Sequence, residues 1–321
     1  MTTPADGGQA DAAPFAPGSV SLRLYAHNEL PATGLIDELL AQARLGIDHG
    51  FDGVMTNEHH NGFAGYLPNP IQAAGWVLAD NARGWAAPCP LLLPLRPTAQ
   101  VAEEVAWLDA RYPGRVGVGV AAGSLEDDFA IMEATKDAAR FGQSLGRLTG
   151  MLSGRDPGLL DRDPAIVRCA DHPVPVLSAA MSPAAVRRAA AARAGMVFES
   201  LSTVERCRVL ADAYREAGGT GSVVLIRRVW VGPRPTAKQD RALDLYSTYA
   251  VPAAQAHWHG DQSLAAEDPA ELAAMVEDAR QAAGADALNL RVHVPGVTAA
   301  EAREQIVAMG DVAKLLKAGR A

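Results

Sequence analysis

From Val20 onward the sequence repeats one pattern: a short run of β-branched and aliphatic residues, then a longer segment with apolar residues at helical spacing. Such alternation does not build a sandwich of hairpins; it builds a parallel sheet with crossover helices. The strand runs are Val20 to Tyr25, Phe51 to Thr56, a segment ending at Leu93, Arg115 to Val120, Val174 to Ser178, Met196 to Glu199, Val223 to Val231 and Ala287 to Val292. The helices between them are marked by chemistry as well as by period. Ile36, Leu39, Leu40, Ala43 and Ile47 share a face that ends before Gly50, and Val101, Val105 and Leu108 recur after Thr98. Ser182-Pro183 supplies an N-cap and a first helical proline, while Ser202 to Glu205 and Thr298 to Glu301 have capping-box spacing. Eight strand-helix units predict a single closed (β/α)8 barrel over residues 19 to 321, with its active site at the C-terminal ends of the strands.

Composition narrows the function classes. Lys and Arg number 29 against 37 Asp and Glu, a formal charge of −8, so there is no basic field for nucleic acid or anionic lipid. The most apolar stretch, Ala86 to Leu95, is broken by Pro88, Pro90 and Pro94, and falls short of the ~20 residues a spanning helix needs. Cys89, Cys169 and Cys207 are widely spaced without a C-x-x-C, which fits a reducing cytoplasm rather than a disulfide framework or a zinc site. Residues 1 to 18 lack a basic n-region and an apolar core and read as a mobile tail. Tyr246 to Glu267 has no clear period and is too long for a barrel turn, so it reads as a lid over the mouth.

In a barrel of this kind the residues just past each strand surround the mouth. Strand two runs into Asn57-Glu58-His59-His60. Adjacent imidazoles suit proton transfer near neutral pH, and they equally suit hydrogen-bonded packing. The spacing does not match a metal motif; His257-Trp258-His259 is H-x-H but lacks a carboxylate partner. Asn28 and Glu29 come after strand one, Ser200 after strand six and His293 after strand eight, while Phe63, Tyr66, Tyr249 and Trp258 are candidates for pocket or lid packing.

The ordered set Gly50-Phe51-Asp52-Gly53-Val54, Asn57-Glu58-His59-His60, Leu67-Pro68-Asn69-Pro70, Leu92-Leu93-Pro94, Ala102-Glu103-Glu104 with Leu108-Asp109, and Gly114-Arg115-Val116-Gly117-Val118-Gly119 resembles the bacterial luciferase-like flavin-dependent monooxygenases. The resemblance is dense from about residue 35 to 132 and weaker through strand five and Gly284 to Leu316. It implies a luciferase-like TIM barrel that takes reduced FMN from a separate flavin reductase, activates O2 as a C4a-(hydro)peroxyflavin and oxygenates a small organic substrate. No G-x-G-x-x-G comes after a strand, in keeping with an external electron source. The resemblance also implies a homodimer through the helices beside strands two and three, where the face around Val101 and Val105 is apolar.

By the same resemblance His59 matches the luciferase α-subunit histidine of acid/base chemistry, with His60 and Glu58 as catalytic partners or hydrogen-bonded supports. Cys89 and Pro90 fall where the family carries a cis peptide against the flavin ring; a trans proline that ends the strand is the other reading. Ala121, Ala122, Gly123 and Asp128 then border the flavin, Gly123 permitting close backbone approach, although Asp128 also reads as a helix-surface acid. Ala122 stands where the α subunit has a phosphate-binding arginine. Ala179, Ala180, Met181 and Ser182 are the candidate replacement, a helix start that serves as a phosphate cradle or as an ordinary N-cap, with Arg187 and Arg188 one turn on. Two rivals keep the barrel: hydride transfer with a deazaflavin, and a flavin-holding relative without turnover.

Overall fold

The computed structural model describes residues 12–249 and 262–319. Its strands are β1 (Val20–Arg23), β2 (Gly53–Thr56), β3 (Trp85–Pro88), β4 (Leu91–Leu92), β5 (Val118–Ala121), β6 (Val176–Ala179), β7 (Gly195–Phe198), β8 (Val223–Val231), β9 (Leu264–Ala266) and β10 (Ala287–Arg291). The α-helices are α1 (Ala32–Asp48), α2 (Pro70–Asp80), α3 (Thr98–Arg111), α4 (Glu126–Ile131), α5 (Ala138–Leu152), α6 (Pro164–Arg168), α7 (Pro183–Ala191), α8 (Val204–Glu216), α9 (Thr236–Tyr249), α10 (Pro269–Ala282) and α11 (Ala299–Ala318).

Every ladder is parallel, in the order β3-β2-β1-β10-β8-β7-β6-β5-β4. β3 and β4 are two halves of one barrel position, parted at a cis Cys89–Pro90 peptide, and a bridge between Ala86 and Val116 joins the ends of the ladder into a ring. The predicted (β/α)8 barrel is thus present, with β9 as an additional short strand paired outside the ring to β8. The strands differ by a few residues from their expected limits because the ladder, not hydrophobicity, sets where pairing stops.

Alternation along the strands separates two cores. Leu22, Val54, Val118, Leu225 and Leu290 pack outward beneath the helices, whereas Met55, Ala87, Cys89, Leu177, Val197, Val224 and Ala287 form a separate cluster with Trp85 and Phe15. Among these, Cys89 closes against β5: a Cβ at Gly119 would collide with its sulfur, so only glycine fits there. A polar layer lies beside this cluster, in which Arg23 donates from Nε to Asn289 Oδ1 at 2.9 Å and from Nη1 to the Cys89 carbonyl.

Several expectations are corrected. The mobile-tail reading fails from residue 12 onward: Phe15 is 1% exposed and meets Trp85 edge-on at 5.3 Å, a burial that stabilises by about 1.5–3 kcal/mol. Residues 1–11 lie outside the described residues. Of the predicted lid, Tyr246 to Tyr249 end α9 and Leu264–Ala266 form β9, because the strand edge of β8 offers them partners; His257, Trp258 and His259 lie outside the described residues. Val101 and Val105 are fully buried within the chain, so a subunit contact on α3 would use its outer side, where Trp107 is 52% exposed.

Candidate active site

The segment after β2 is held in a fixed shape by its own backbone. His59 N–H donates to the Leu67 carbonyl at 3.3 Å, Leu67 N–H returns to the Asn57 carbonyl at 3.4 Å, and Glu58 bridges Leu67. Asn28, from the end of β1, accepts from Gly65 N–H at 2.6 Å and ties the loop to the barrel. This closure brings the Phe63 and Tyr66 rings to 4.8 and 4.5 Å from the His59 imidazole, so the ring is walled by aromatics on the loop it belongs to.

Asp128, at the start of α4, completes the arrangement. Its Oδ2 lies 2.6 Å from His59 Nδ1 and its Oδ1 accepts from His60 N–H at 2.9 Å. Of the two readings of Asp128 the helix-surface acid fails, since the residue is 2% exposed. Burial works against its charge, but the hydrogen bonds from His59 and His60 and the nearby imidazoles outweigh it and bring the carboxyl below its ordinary value of 3.8. An ionised Asp128 accepts only, so Nδ1 carries the proton of the neutral imidazole and Nε2 keeps a lone pair. A carboxylate that fixes the tautomer of a histidine whose other nitrogen remains available is a general acid/base arrangement.

His60 and Glu58 support rather than extend this pair. Glu58 is 1% exposed; its carboxylate accepts from Leu92 N–H and from both terminal nitrogens of Arg96, and lies 3.3 Å from His60 Nε2. The ion pair therefore binds the loop after β2 to the turn after β4. Arg96 escapes sequence reasoning, since the run Leu92-Leu93-Pro94 hides it; the unpaired buried charge of Glu58 is the signal that calls for a cation.

The other expected flavin-side residues divide. Cys89 is fully buried and burial pushes its thiol up to about 11, so it is a protonated apolar filler beside the cis Pro90. Gly123 stands at φ +79°, where a Cβ would meet the Phe129 ring at 2.9 Å, so the turn and the packing of Phe129 both call for glycine there. Ala121 and Ala122 are half-buried and Ala179 and Met181 likewise, whereas Ala180 is fully buried in the outer core.

Ser182 is the N-cap of α7, its hydroxyl accepting from Ala185 N–H at 3.3 Å. The expected charge beside it comes from a residue that no motif marks in the sequence. Arg206, in the first turn of α8, donates from Nη2 to the Met181 carbonyl at 3.3 Å while its buried Nε has no hydrogen-bond partner. Arg188 also has a buried Nε without a partner, whereas Arg187 is exposed. Unsatisfied buried donors of this kind are uncommon, and a water, an ion or a ligand oxygen can answer them.

Beyond Tyr66, whose ring lies 5.8 Å from that of Tyr25, Arg291 lies 4.3 Å over the Tyr25 ring and His293 stacks on that ring at 4.8 Å. Burial, then the Arg291 and His27 charges, hold His293 well below the usual histidine range, and its Nδ1 makes no hydrogen bond. Ser200 is buried with its hydroxyl 3.5 Å from Arg291 Nη1, and Glu29 pairs with His27 at 3.0 Å. No group of His, Cys, Asp and Glu able to hold a metal is found among the described residues, and no described helix is long and apolar enough to cross a membrane.

Comparison with known proteins gives the same picture. Residues 19–313 match the sequence profile of the luciferase-like monooxygenase family. An alkanal monooxygenase alpha chain from Photorhabdus laumondii is 27% identical over 119 residues, a match spanning 37% of this chain and 33% of the relative. Among solved structures, a monooxygenase from Streptomyces bottropensis superposes with a TM-score of 0.72 at 20% identity, covering 94% of this chain and 100% of that one. The oxygenating constituent of 3,6-diketocamphane monooxygenase from Pseudomonas putida, a type II Baeyer-Villiger enzyme in complex with FMN, gives 0.69 at 16% identity, covering 92% and 98%. An F420-dependent secondary alcohol dehydrogenase gives 0.70 at 17% identity, covering 92% and 97%. A barrel of this topology with His59 at the end of its second strand, matched by the family profile over nearly its whole length, belongs to the luciferase-like monooxygenase family.

Proposed function

We propose that the protein is an FMN-dependent monooxygenase whose reduced flavin comes from a separate reductase. The observation that carries this reading is the His59–Asp128 pair at 2.6 Å, set behind an aromatic wall at the barrel mouth. When bound, reduced FMN supplies the electrons that activate dioxygen. His59 Nε2 then holds or moves a proton beside the reacting atoms, Asp128 fixes the tautomer, and Phe63 and Tyr66 limit the access of water.

The chain's residues fit an FMN phosphate. The Ser182 helix start offers backbone N–H groups, and Arg206 Nε is an unspent donor next to it, compensating for the missing arginine at Ala122. The small organic substrate is of the carbonyl class on which the alkanal and Baeyer-Villiger relatives act. A homodimer through the outer side of α3 and a cytoplasmic location accompany this reading.

The small side chain at Ala122 and the F420-dependent neighbour favour a second reading, hydride transfer with a deazaflavin. Anaerobic ultrafiltration with reduced FMN and reduced F420 separates the two. Retention of FMN alone is expected; retention of F420 alone would overturn the oxygenase reading. A flavin holder without turnover has no use for the His59–Asp128 pair.

A further inference from the structure

The sequence holds six asparagines, and Asn61 alone is followed by glycine. The fold separates it further from the others. Asn28 Oδ1 accepts from Gly65 N–H at 2.6 Å, Asn69 caps α2 and is followed by Pro70, and Asn81 Nδ2 donates to the Val77 carbonyl at 2.8 Å. Asn57 is buried, and Asn289 is buried with both ends of its carboxamide bonded, to Arg23 and to Ser21. Asn61 and Gly62 are instead both exposed, and among the described residues neither the Asn61 carboxamide nor the Gly62 N–H makes a hydrogen bond.

These two residues are the corner of a tight turn. Phe63 N–H donates to the His60 carbonyl at 3.2 Å, and between them Asn61 and Gly62 stand at φ +55° and +65°. Asparagine and glycine are the residues that tolerate this region, which is why the turn uses them. A Cβ at Gly62 would meet nothing within 4 Å, so the space on that side of the turn is open. The turn is also a spacer in the candidate site. Before it, His60 N–H donates to Asp128; after it, the Phe63 ring lies 4.8 Å from the His59 imidazole.

We propose that Asn61 is a site of spontaneous self-modification, at which the Gly62 backbone nitrogen attacks the Asn61 carboxamide and the turn ages to iso-aspartate. The Gly62 nitrogen gives its proton to solvent and bonds Asn61 Cγ; the bond from Cγ to the side-chain nitrogen breaks, and ammonia leaves with a proton from water. Water then opens the succinimide at either carbonyl, giving aspartate or iso-aspartate, with no change of oxidation state. Glycine permits the step because no side chain hinders the rotation that brings its nitrogen to Cγ. In the iso-aspartyl product the main chain runs through Cβ and Cγ, one atom longer, and the α-carboxylate is left as a side group. A turn closed by one hydrogen bond does not absorb an extra atom in place, so Phe63 moves away from His59 and the wall around the imidazole opens. The modification itself stands apart from the flavin reading; its effect on turnover rests on that reading.

The test incubates flavin-free, full-length protein at mildly alkaline pH and follows every asparagine by peptide mapping, with iso-aspartate scored by enzymatic methyl esterification. Conversion at Asn61 should be about tenfold or more faster than at any other asparagine, because the buried ones must first open locally. N61G keeps a residue that accepts positive φ and should form no iso-aspartate there. Turnover with reduced FMN should decline in aged wild type in step with iso-aspartate, while aged N61G keeps its own. N61D adds a carboxylate without lengthening the chain and should retain most of its turnover. Conversion at Asn61 no faster than elsewhere would overturn the proposal. Iso-aspartate that leaves turnover intact, or N61D as inactive as the aged protein, would overturn the role given to the added atom. Absence of turnover in the fresh protein would count against the flavin reading, and the mapping would still decide the modification.

Discussion

Two walls of the barrel mouth differ in how they treat polar atoms. On the wall built by β2, β4 and α4, the groups answer one another: Asp128 takes His59 and the His60 backbone, and Glu58 takes Arg96 and the Leu92 backbone. On the wall built by α7 and α8, buried donors are left over, at Nε of Arg188 and Arg206. A satisfied network is already in its working geometry and needs no ligand to form. Leftover buried donors have the opposite meaning, since their desolvation is repaid only when something else binds. The first wall reads as chemistry and the second as reception.

The largest test of this contrast is on the satisfied wall. H59A should lower oxygenation of an alkanal, fed with reduced FMN by a reductase, by about 10²–10⁴-fold, the range for loss of a positioned acid/base group. Its melting temperature should fall only modestly, because the buried Asp128 carboxylate keeps the His60 N–H as a donor. E58A should act the other way round. Removing a buried carboxylate strands Arg96 and costs about 3–5 kcal/mol in urea unfolding, so stability falls before any kinetic effect can be read.

On the receptive wall the effect should appear in binding alone. R206A should weaken FMN by about tenfold to a hundredfold, equivalent to a charge-assisted hydrogen bond, while riboflavin, which has no phosphate, binds as before. Equal losses for both flavins would place Arg206 in structural support. His293 gives the smallest signal. Its folded value is depressed, so below its ordinary value of 6.5 the unfolded chain takes up a proton that the folded chain refuses, and stability falls as pH falls. The slope approaches about 1.4 kcal/mol per pH unit below pH 6 and should flatten in H293Q. Asp128 contributes in the acid range: its share of stability is complete above about pH 4 and is lost as pH falls through its depressed value.

Much of the barrel is legible in the sequence because strand-helix alternation and capping residues are local signals. Ser182 and Thr298 cap the helices their sequences announce, whereas α8 is capped by Thr203 and not by Ser202 of the expected capping box, because the Ser202 hydroxyl donates to Glu199 instead. The Glu58-His59-His60 cluster is legible as chemistry, but its wiring is not: Asp128 is 69 positions from His59, and only barrel closure brings them together. Arg23, Asn289 and Arg291 sit in phase on β1 and β10, and that two-residue alternation of polar side chains in apolar strands is the available sign of an interior polar layer. Phe15 is hidden by a Pro-, Gly- and Ala-rich segment, since its burial depends on a gap beneath Trp85 that the folded barrel alone creates. The packing of the Phe129 ring against Gly123, six positions earlier, is hidden in the same way.

Control of the reaction between reduced flavin and oxygen by His59 and its wall is the central claim. Stopped-flow absorbance, with enzyme and reduced FMN mixed anaerobically and then pushed against oxygenated buffer, tests it directly. Reappearance of oxidised flavin much later than in free FMN, with the delay shortened in H59A, is the predicted result. Reoxidation at the free-flavin rate in the wild-type protein would contradict it.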